Sequence, residues 1–282
     1  MSTPRLRDNP PFTRYVVERR IFEKSPFTLV DVGAGGGIEQ HWRLFGDSLA
    51  AFGFEPLIAE AERLNAAASN KNISYHAYLV TSSGKMAGAR VSGVGTKIDL
   101  RDDQPFSRTS AVRAMSLLNL NYAQAVFDPS GTGKMTEEKV TLDRFFSSRP
   151  RSNVDFLKID TDGHDYDVLC GAEDLLVEHC VLGVFIESQF HGPVVPEANL
   201  FSNIDQFLRA RGFSLFDLEV YRYSRSVLPR PFVYNLTAQT HEGQVLWGDA
   251  LYLRDAGDPD YEKMWDMSLT PQKVLKLACL YE

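Results

Sequence analysis

Apolar runs of about six residues alternate along this chain with longer stretches in which apolar positions recur every three or four residues. That alternation is the pattern of parallel strands joined by covering helices. Strands are predicted at FTLVDV (27–32), AAFGFE (50–55), ISYHAYLV (73–80), VDFLKID (154–160) and VLGVFIE (181–187). Helices are predicted near 37–46, 57–69, 164–178 and 199–211. The first 25 residues read as a helical segment. Toward the end, GFSLFDLEVYRYS (212–224) and WGDALYLRD (247–255) read as a closing antiparallel pair, separated by an Arg/Pro-rich excursion over 224–246 and followed by a helix near 271–279. The pattern breaks over 81–140, which is richer in Gly, Ser and Thr. There an insertion is predicted near the carboxyl edge of the sheet, with a hairpin around VSGVGTKIDL and a helix near 115–126. The fold class expected is a doubly wound α/β sheet in one domain covering 1–282.

Composition narrows the classes. Hydrophobic residues make up 44% and charged residues 24% of the 282 positions, as in an ordinary globular protein. The net charge of −7 and the lack of a long Lys/Arg block argue against a nucleic-acid partner. No signal-peptide run opens the chain and no stretch of eighteen apolar residues occurs, so a cytoplasmic protein without a membrane span is expected. Cys170, Cys180 and Cys279 show neither metal nor redox spacing.

Candidate chemistry begins at LVDVGAGGGIEQHW. A dinucleotide fingerprint requires Gly-x-Gly-x-x-Gly after the first strand, and counting from Gly33 the third glycine position is Ile38. What stands there instead is Asp31-Val-Gly33-Ala-Gly35-Gly36-Gly37, an acid and a tight glycine turn without the diphosphate glycine. Asp31 could accept from a ligand ammonium, directly or through water. Glu55, followed by Pro56, ends the second strand about 20 residues on, where an acid takes the two hydroxyls of a ribose. An adenosine cofactor with an amino-acid tail, S-adenosylmethionine, fits these features. A nicotinamide cofactor and a purely structural glycine turn remain alternatives.

The segment VTLDRFFSSRPRSNVDFLKIDTDGHDYDVLCGAEDLL (140–176) resembles the signature of the FkbM-type methyltransferases. The matching positions are Thr141, Leu142, Asp143, Lys158, Ile159, Asp160, Gly163, Leu169, Gly171 and Ala172, with Glu187 at the end of the following strand. The chain departs from the family pattern at Asp162 and at His164-Asp165. The resemblance implies a class I methyltransferase fold, with seven strands and an antiparallel last strand. It also implies methyl transfer from S-adenosylmethionine, usually to a hydroxyl of a sugar, lipid or secondary metabolite.

Asp31, Glu55, Asp160 and Glu187 all fall at predicted strand ends, where open α/β sheets hold their ligands. A hydroxyl is a poor nucleophile at neutral pH, so a base or a metal is sought. His164 is the candidate base, with His191 in QFHGP in reserve. Alternatively, Asp160, Asp162 and Glu187 could ligate Mg²⁺. In a metal-free site, Asp160 would orient the cofactor and Glu187 a substrate hydroxyl. Lys158 should share a sheet face with Asp160 and form an ion pair there. PSGTGKMT (129–136) fails as a phosphate loop, with Asp128 and Met135 at key positions. Arg222, Arg225 and Arg230, interleaved with Tyr221, Tyr223 and Phe232, read as a solvated excursion or an anion contact of the acceptor. Two other classes stay open: a catalytically inactive cofactor-binding or interaction module, and a nicotinamide oxidoreductase.

Overall fold

The structure is a computed structural model that describes residues 10–82, 134–147, 153–161, 163–191, 194–223 and 243–282. Most of the 81–140 insertion, including its expected hairpin and helix, lies outside the described residues, as do Asp162, residues 224–242 of the excursion, and Arg225, Arg230 and Phe232 with them.

Seven strands form one sheet. They are β1 (Phe27–Val32), β2 (Leu49–Phe54), β3 (Ile73–His76), β6 (Phe156–Ile159), β7 (Gly183–Gln189), β8 (Phe213–Tyr223) and β9 (Gln244–Arg254). Their order is β3-β2-β1-β6-β7-β9-β8. The five strands from β3 to β7 are mutually parallel. β9 runs antiparallel to both of its neighbours, β7 and β8. This is the doubly wound sheet with an antiparallel last strand that the sequence predicts. The chain order reverses at β1 and β6, so the switch point of the sheet lies between them.

Every residue of β1 is buried, because both faces of the sheet are covered. On one face Val30 and Val32 join Leu157, Ile159, Val184 and Ile186 under α3 (Leu142–Ser147), α4 (Asp165–Cys170), α5 (Glu173–Glu178) and α6 (Phe201–Arg209). On the other, Phe27 and Leu29 pack with Trp42, Phe45 and Leu277, beneath α1 (Pro11–Glu18), a 3-10 stretch (Gln40–Ser48) and α8 (Pro271–Leu280). The carboxylate of Glu282 ties the ends of the chain together by accepting from the Phe12 and Thr13 amides. The remaining helices are α2 (Ile58–Ala67) and α7 (Tyr261–Trp265). No helix among the described residues is long and apolar enough to cross a membrane.

Three predicted elements change form. Residues 73–80 are not one strand: Tyr78 turns the chain by donating to the His76 carbonyl, and β4 (Leu79–Val80) leaves the sheet to pair with β5 (Lys139–Val140). The two halves belong to opposite layers, Tyr75 packing into one core and Val80 into the other. The helix predicted over 164–178 is cut at Gly171, where a Cβ would stand 2.5 Å from the Thr81 carbonyl oxygen. That crossing of β4 and helix requires glycine, which also ends the first helix cheaply. Finally, 37–46 forms 3-10 turns over Gln40–Ser48, broken at Gly46 with φ +53°.

Candidate active site

The site is assembled at the carboxyl ends of the parallel strands, beginning with the glycine turn after β1. Gly33 has φ +84°, and a Cβ on it would lie 1.8 Å from the Asp160 carbonyl oxygen. No other residue fits where β1 and β6 end together. Within the turn, the amides of Gly33 and Ala34 both donate to the Phe54 carbonyl, Gly37 donates to Ala34, Gly36 to Glu60 Oε1, and Ile38 to the Tyr75 hydroxyl. Among the described residues only Gly35, of positions 33–38, lacks a backbone donation to the protein. The turn is therefore not an open nest of amides for a diphosphate. Glu60, itself buried and held below the usual carboxylate range by Arg63, places a negative charge where a diphosphate would need donors.

Glu60 and Tyr75, which satisfy amides of the glycine turn, are residues that the sequence reading did not single out. A carboxylate and a phenol on covering elements carry no motif of their own. Only the need to satisfy the amides of a glycine turn would have pointed to them.

Asp31 is 1% exposed and is occupied by Lys158, whose Nζ lies 3.1 Å from Oδ1. One oxygen of Asp31 is thus engaged in an internal ion pair. Lys158 also lies 3.6 Å from Asp160 and 3.9 Å from Glu39. Burial alone would push this ammonium down, but the carboxylates outweigh it and its pKa is raised. Asp160 is the solvent-facing member of the group, its side chain 43% exposed.

Glu55 follows β2 and is buried, with Oε1 accepting from the Leu57 amide at 2.8 Å. Burial pushes its pKa up to about 7, against the pull of the Leu57 N–H. Pro56 is next in the chain, its carbonyl taking the Thr136 amide, and so joins the stretch after the insertion to this corner.

The loop after β6 is organised by Asp165, which the sequence marks only as a departure from the family pattern. Fully buried, it accepts from the Thr161 amide and hydroxyl, the Gly163 amide and Asn199 Nδ2. Asn199 also accepts from the Tyr166 amide, so this pair clamps the loop after β6 to the segment after β7. His164 occupies the cap position just before α4 rather than its first turn. His191 follows β7, and its Nε2 is buried without a hydrogen-bond partner among the described residues; burial lowers its pKa.

Glu187 lies on β7, opposite Asp249 of β9. Asp160 follows Ile159, which pairs with Ile186, so Asp160 and Glu187 are neighbours at the edge of the sheet. Among the described residues no group of three or more His, Cys, Asp or Glu side chains is placed to hold a metal ion. The Asp160 carboxylate leans instead toward the Lys158 ammonium. The donor set expected for Mg²⁺ is not supported.

Asp31, Gly33, Glu55 and Asp160 are thus gathered at the ends of β1, β2 and β6, with Glu187 one strand further. No match to the chain is found among curated proteins. A family model, the methyltransferase FkbM domain, matches residues 31–215, the stretch that builds this edge from Asp31 through the β7 end. The chain belongs to the FkbM family of methyltransferases.

Proposed function

We propose that the protein is an S-adenosylmethionine-dependent O-methyltransferase acting on a hydroxyl of a sugar, glycan or secondary metabolite. The observation that carries this reading is the pairing of a diphosphate-excluding glycine turn with the buried Glu55 at the end of β2. S-adenosylmethionine supplies a methyl group on a sulfonium centre. Glu55 takes the ribose hydroxyls, with Pro56 shaping the same corner, and Gly33 and Gly35 allow the ligand to approach the backbone. Lys158 holds one oxygen of Asp31 and pairs with Asp160 at the edge, leaving the other oxygen of Asp31 to reach the ligand ammonium directly or through water. The sulfonium and ammonium of this cofactor are cationic, which suits an edge where one lysine faces three carboxylates.

Methyl transfer asks the protein chiefly to align acceptor oxygen, methyl carbon and sulfur. Asp160 and Glu187 orient the reactants. His164 is the residue proposed to take the hydroxyl proton, with His191 as its alternate. Asp165 acts on His164 indirectly, by fixing the loop that precedes it.

Isothermal titration with S-adenosylhomocysteine tests the reading. Binding to the wild type and its loss in Glu55→Ala are expected. Binding of NADH without binding of S-adenosylhomocysteine would overturn it in favour of an oxidoreductase.

A further inference from the structure

On β8 and β9, beyond the residues already assigned, Tyr221 donates from its hydroxyl to Asp249 Oδ2 at 3.1 Å. The Tyr221 ring stacks on Trp247 with centroids 3.8 Å apart and planes at 18°. Register places these side chains on the sheet face that carries the candidate site. Glu187 pairs with Asp249, Gln189 with Trp247, and Trp247 with Tyr221. Asp160, Glu187 and Asp249 thus stand in a row across β6, β7 and β9, with the Trp247–Tyr221 stack one step further out.

Distance decides what Asp249 can do. Neighbouring strands lie about 4.8 Å apart, so the backbones at Asp249 and Asp160 are roughly 10 Å apart. The glycine turn and Glu55 assign the cofactor to the ends of β1, β2 and β6, and the reacting hydroxyl must lie next to it. A base acts over about 3 Å, and His164 and His191 already stand as candidates for that proton, so Asp249, two strands from Asp160, is assigned a different part. It is well placed to grip the opposite side of an acceptor that lies across Glu187. A carboxylate fixed by a phenol offers a directed hydrogen-bond acceptor, and the half-buried Trp247 indole, backed by the buried Tyr221 ring, offers an apolar face beside it. Hydroxyls around the rim of an apolar ring face are the chemistry of a pyranose.

We propose that Asp249, Tyr221 and Trp247 form the acceptor subsite, holding a polyhydroxylated ring by a hydroxyl other than the one that is methylated. This rests on the methyltransferase reading above and deepens it by naming the part of the sheet that selects the substrate. The Asp249 carboxyl is raised to about 7 by burial and by the charge of Asp160, with Glu219 adding to the shift and Tyr221 and Lys158 opposing it. In either protonation state one of its oxygens can accept from a sugar hydroxyl.

The test uses the full chain with methyl α-glycosides of glucose, galactose and mannose as probes and catechol as a planar control, read by saturation-transfer NMR. S-adenosylhomocysteine binding is first measured by calorimetry, so that failure of the cofactor reading is seen separately. The sugar titration is then run on both loaded and unloaded protein. At least one glycoside should receive saturation in preference to catechol. Asp249→Ala should weaken that binding about tenfold or more, with S-adenosylhomocysteine affinity unchanged. Asp249→Asn provides a near-isosteric second variant should the alanine form not fold. Tyr221→Phe, which keeps the stack but not the hydrogen bond, should weaken binding less. If no glycoside binds, or if binding persists undiminished in both Asp249 variants, the subsite assignment is wrong.

Discussion

The two ends of β6 each carry a buried Asp–Lys group, and the two groups are built on opposite principles. At the amino end a single carboxylate, Asp155, serves two ammoniums, Lys273 and Lys276, each 2.8 Å away. The surplus positive charge is absorbed by backbone: Lys273 Nζ donates to the carbonyls of Val154, His179 and Cys180, and Lys276 Nζ to that of Pro26. Asp155 also takes the Thr28 amide, so β1, β6 and α8 are locked together beneath the sheet. At the carboxyl end one ammonium, Lys158, faces three carboxylates, and the outermost, Asp160, is open to solvent. Charge that is sealed among backbone acceptors holds a fold together. Charge left in surplus at an open edge is suited to a cationic ligand.

The contrast breaks most visibly at Asp155. Asp155→Ala strands two buried ammoniums, and removing one partner from such a group typically costs about 3–5 kcal/mol. Urea unfolding should show a loss of that size, while the folded fraction keeps its S-adenosylhomocysteine affinity. A loss below about 1 kcal/mol would mean that the amino-end cluster is no lock. On the carboxyl side the largest effect expected is kinetic. His164→Gln keeps a polar side chain and removes the base, and should lower kcat on an identified acceptor by roughly 100-fold with little change in stability or cofactor affinity. Near-native turnover from pH 6 to 9 would move the role to His191 or to no imidazole at all.

How far each end was legible follows from the same contrast. The carboxyl end announces itself because its requirements are local: a glycine that must take positive φ beside Asp160, an acid after β2, and an acid after β6 each sit at a fixed place relative to a strand. The Asp31–Lys158 pair was half legible, since alternation in β6 puts Lys158 and Asp160 on one face, but the register that sets Lys158 beside Asp31 comes only from pairing β1 with β6. Glu60, Tyr75, Asp165 and the Tyr221–Asp249 pair were not legible. Each acts on a partner brought near by packing, and periodicity encodes the face of an element without its neighbour. The amino-end lock was hidden for this reason too: Lys273 and Lys276 carry no motif within the helix predicted near 271–279, yet both are buried. Boundaries failed where a glycine cut a periodic run, as at Gly171.

A smaller effect sharpens the carboxyl side. Glu55→Ala removes the acceptor assigned to the ribose, and losing a hydrogen bond to a charged group costs about 1.5–3 kcal/mol. Calorimetry should show S-adenosylhomocysteine binding weakened about tenfold or more. Unfolding free energy should hold or rise at pH 8, because a carboxylate that is costly to bury is gone. Unchanged affinity would detach Glu55 from the cofactor and return the glycine turn to a purely structural role.

The smallest effect concerns the proton on Glu55. Its pKa in the folded protein is raised to about 7 from an ordinary 4.5, burial being the main cause. Between those values the native state holds a proton that the unfolded chain has released, so stability contributed at this position falls as pH rises across that window and is flat above it. Asp249, also near 7, adds a slope of the same sign, so the contribution of Glu55 is read as the difference between wild type and Glu55→Gln. Ligand binding runs the other way. Ribose hydroxyls donate to both oxygens best when the carboxylate is charged, so affinity for S-adenosylhomocysteine should rise a few-fold from pH 6 to pH 8 and binding near pH 6.5 should release protons. Titrations in buffers of different ionisation enthalpy measure that release directly. Protonated Glu55 still offers one acceptor oxygen, which keeps the effect well below that of Glu55→Ala. A proton release that persists unaltered in Glu55→Gln would assign the titration to Asp249 and separate the charge at the cofactor end of the edge from that at the acceptor end.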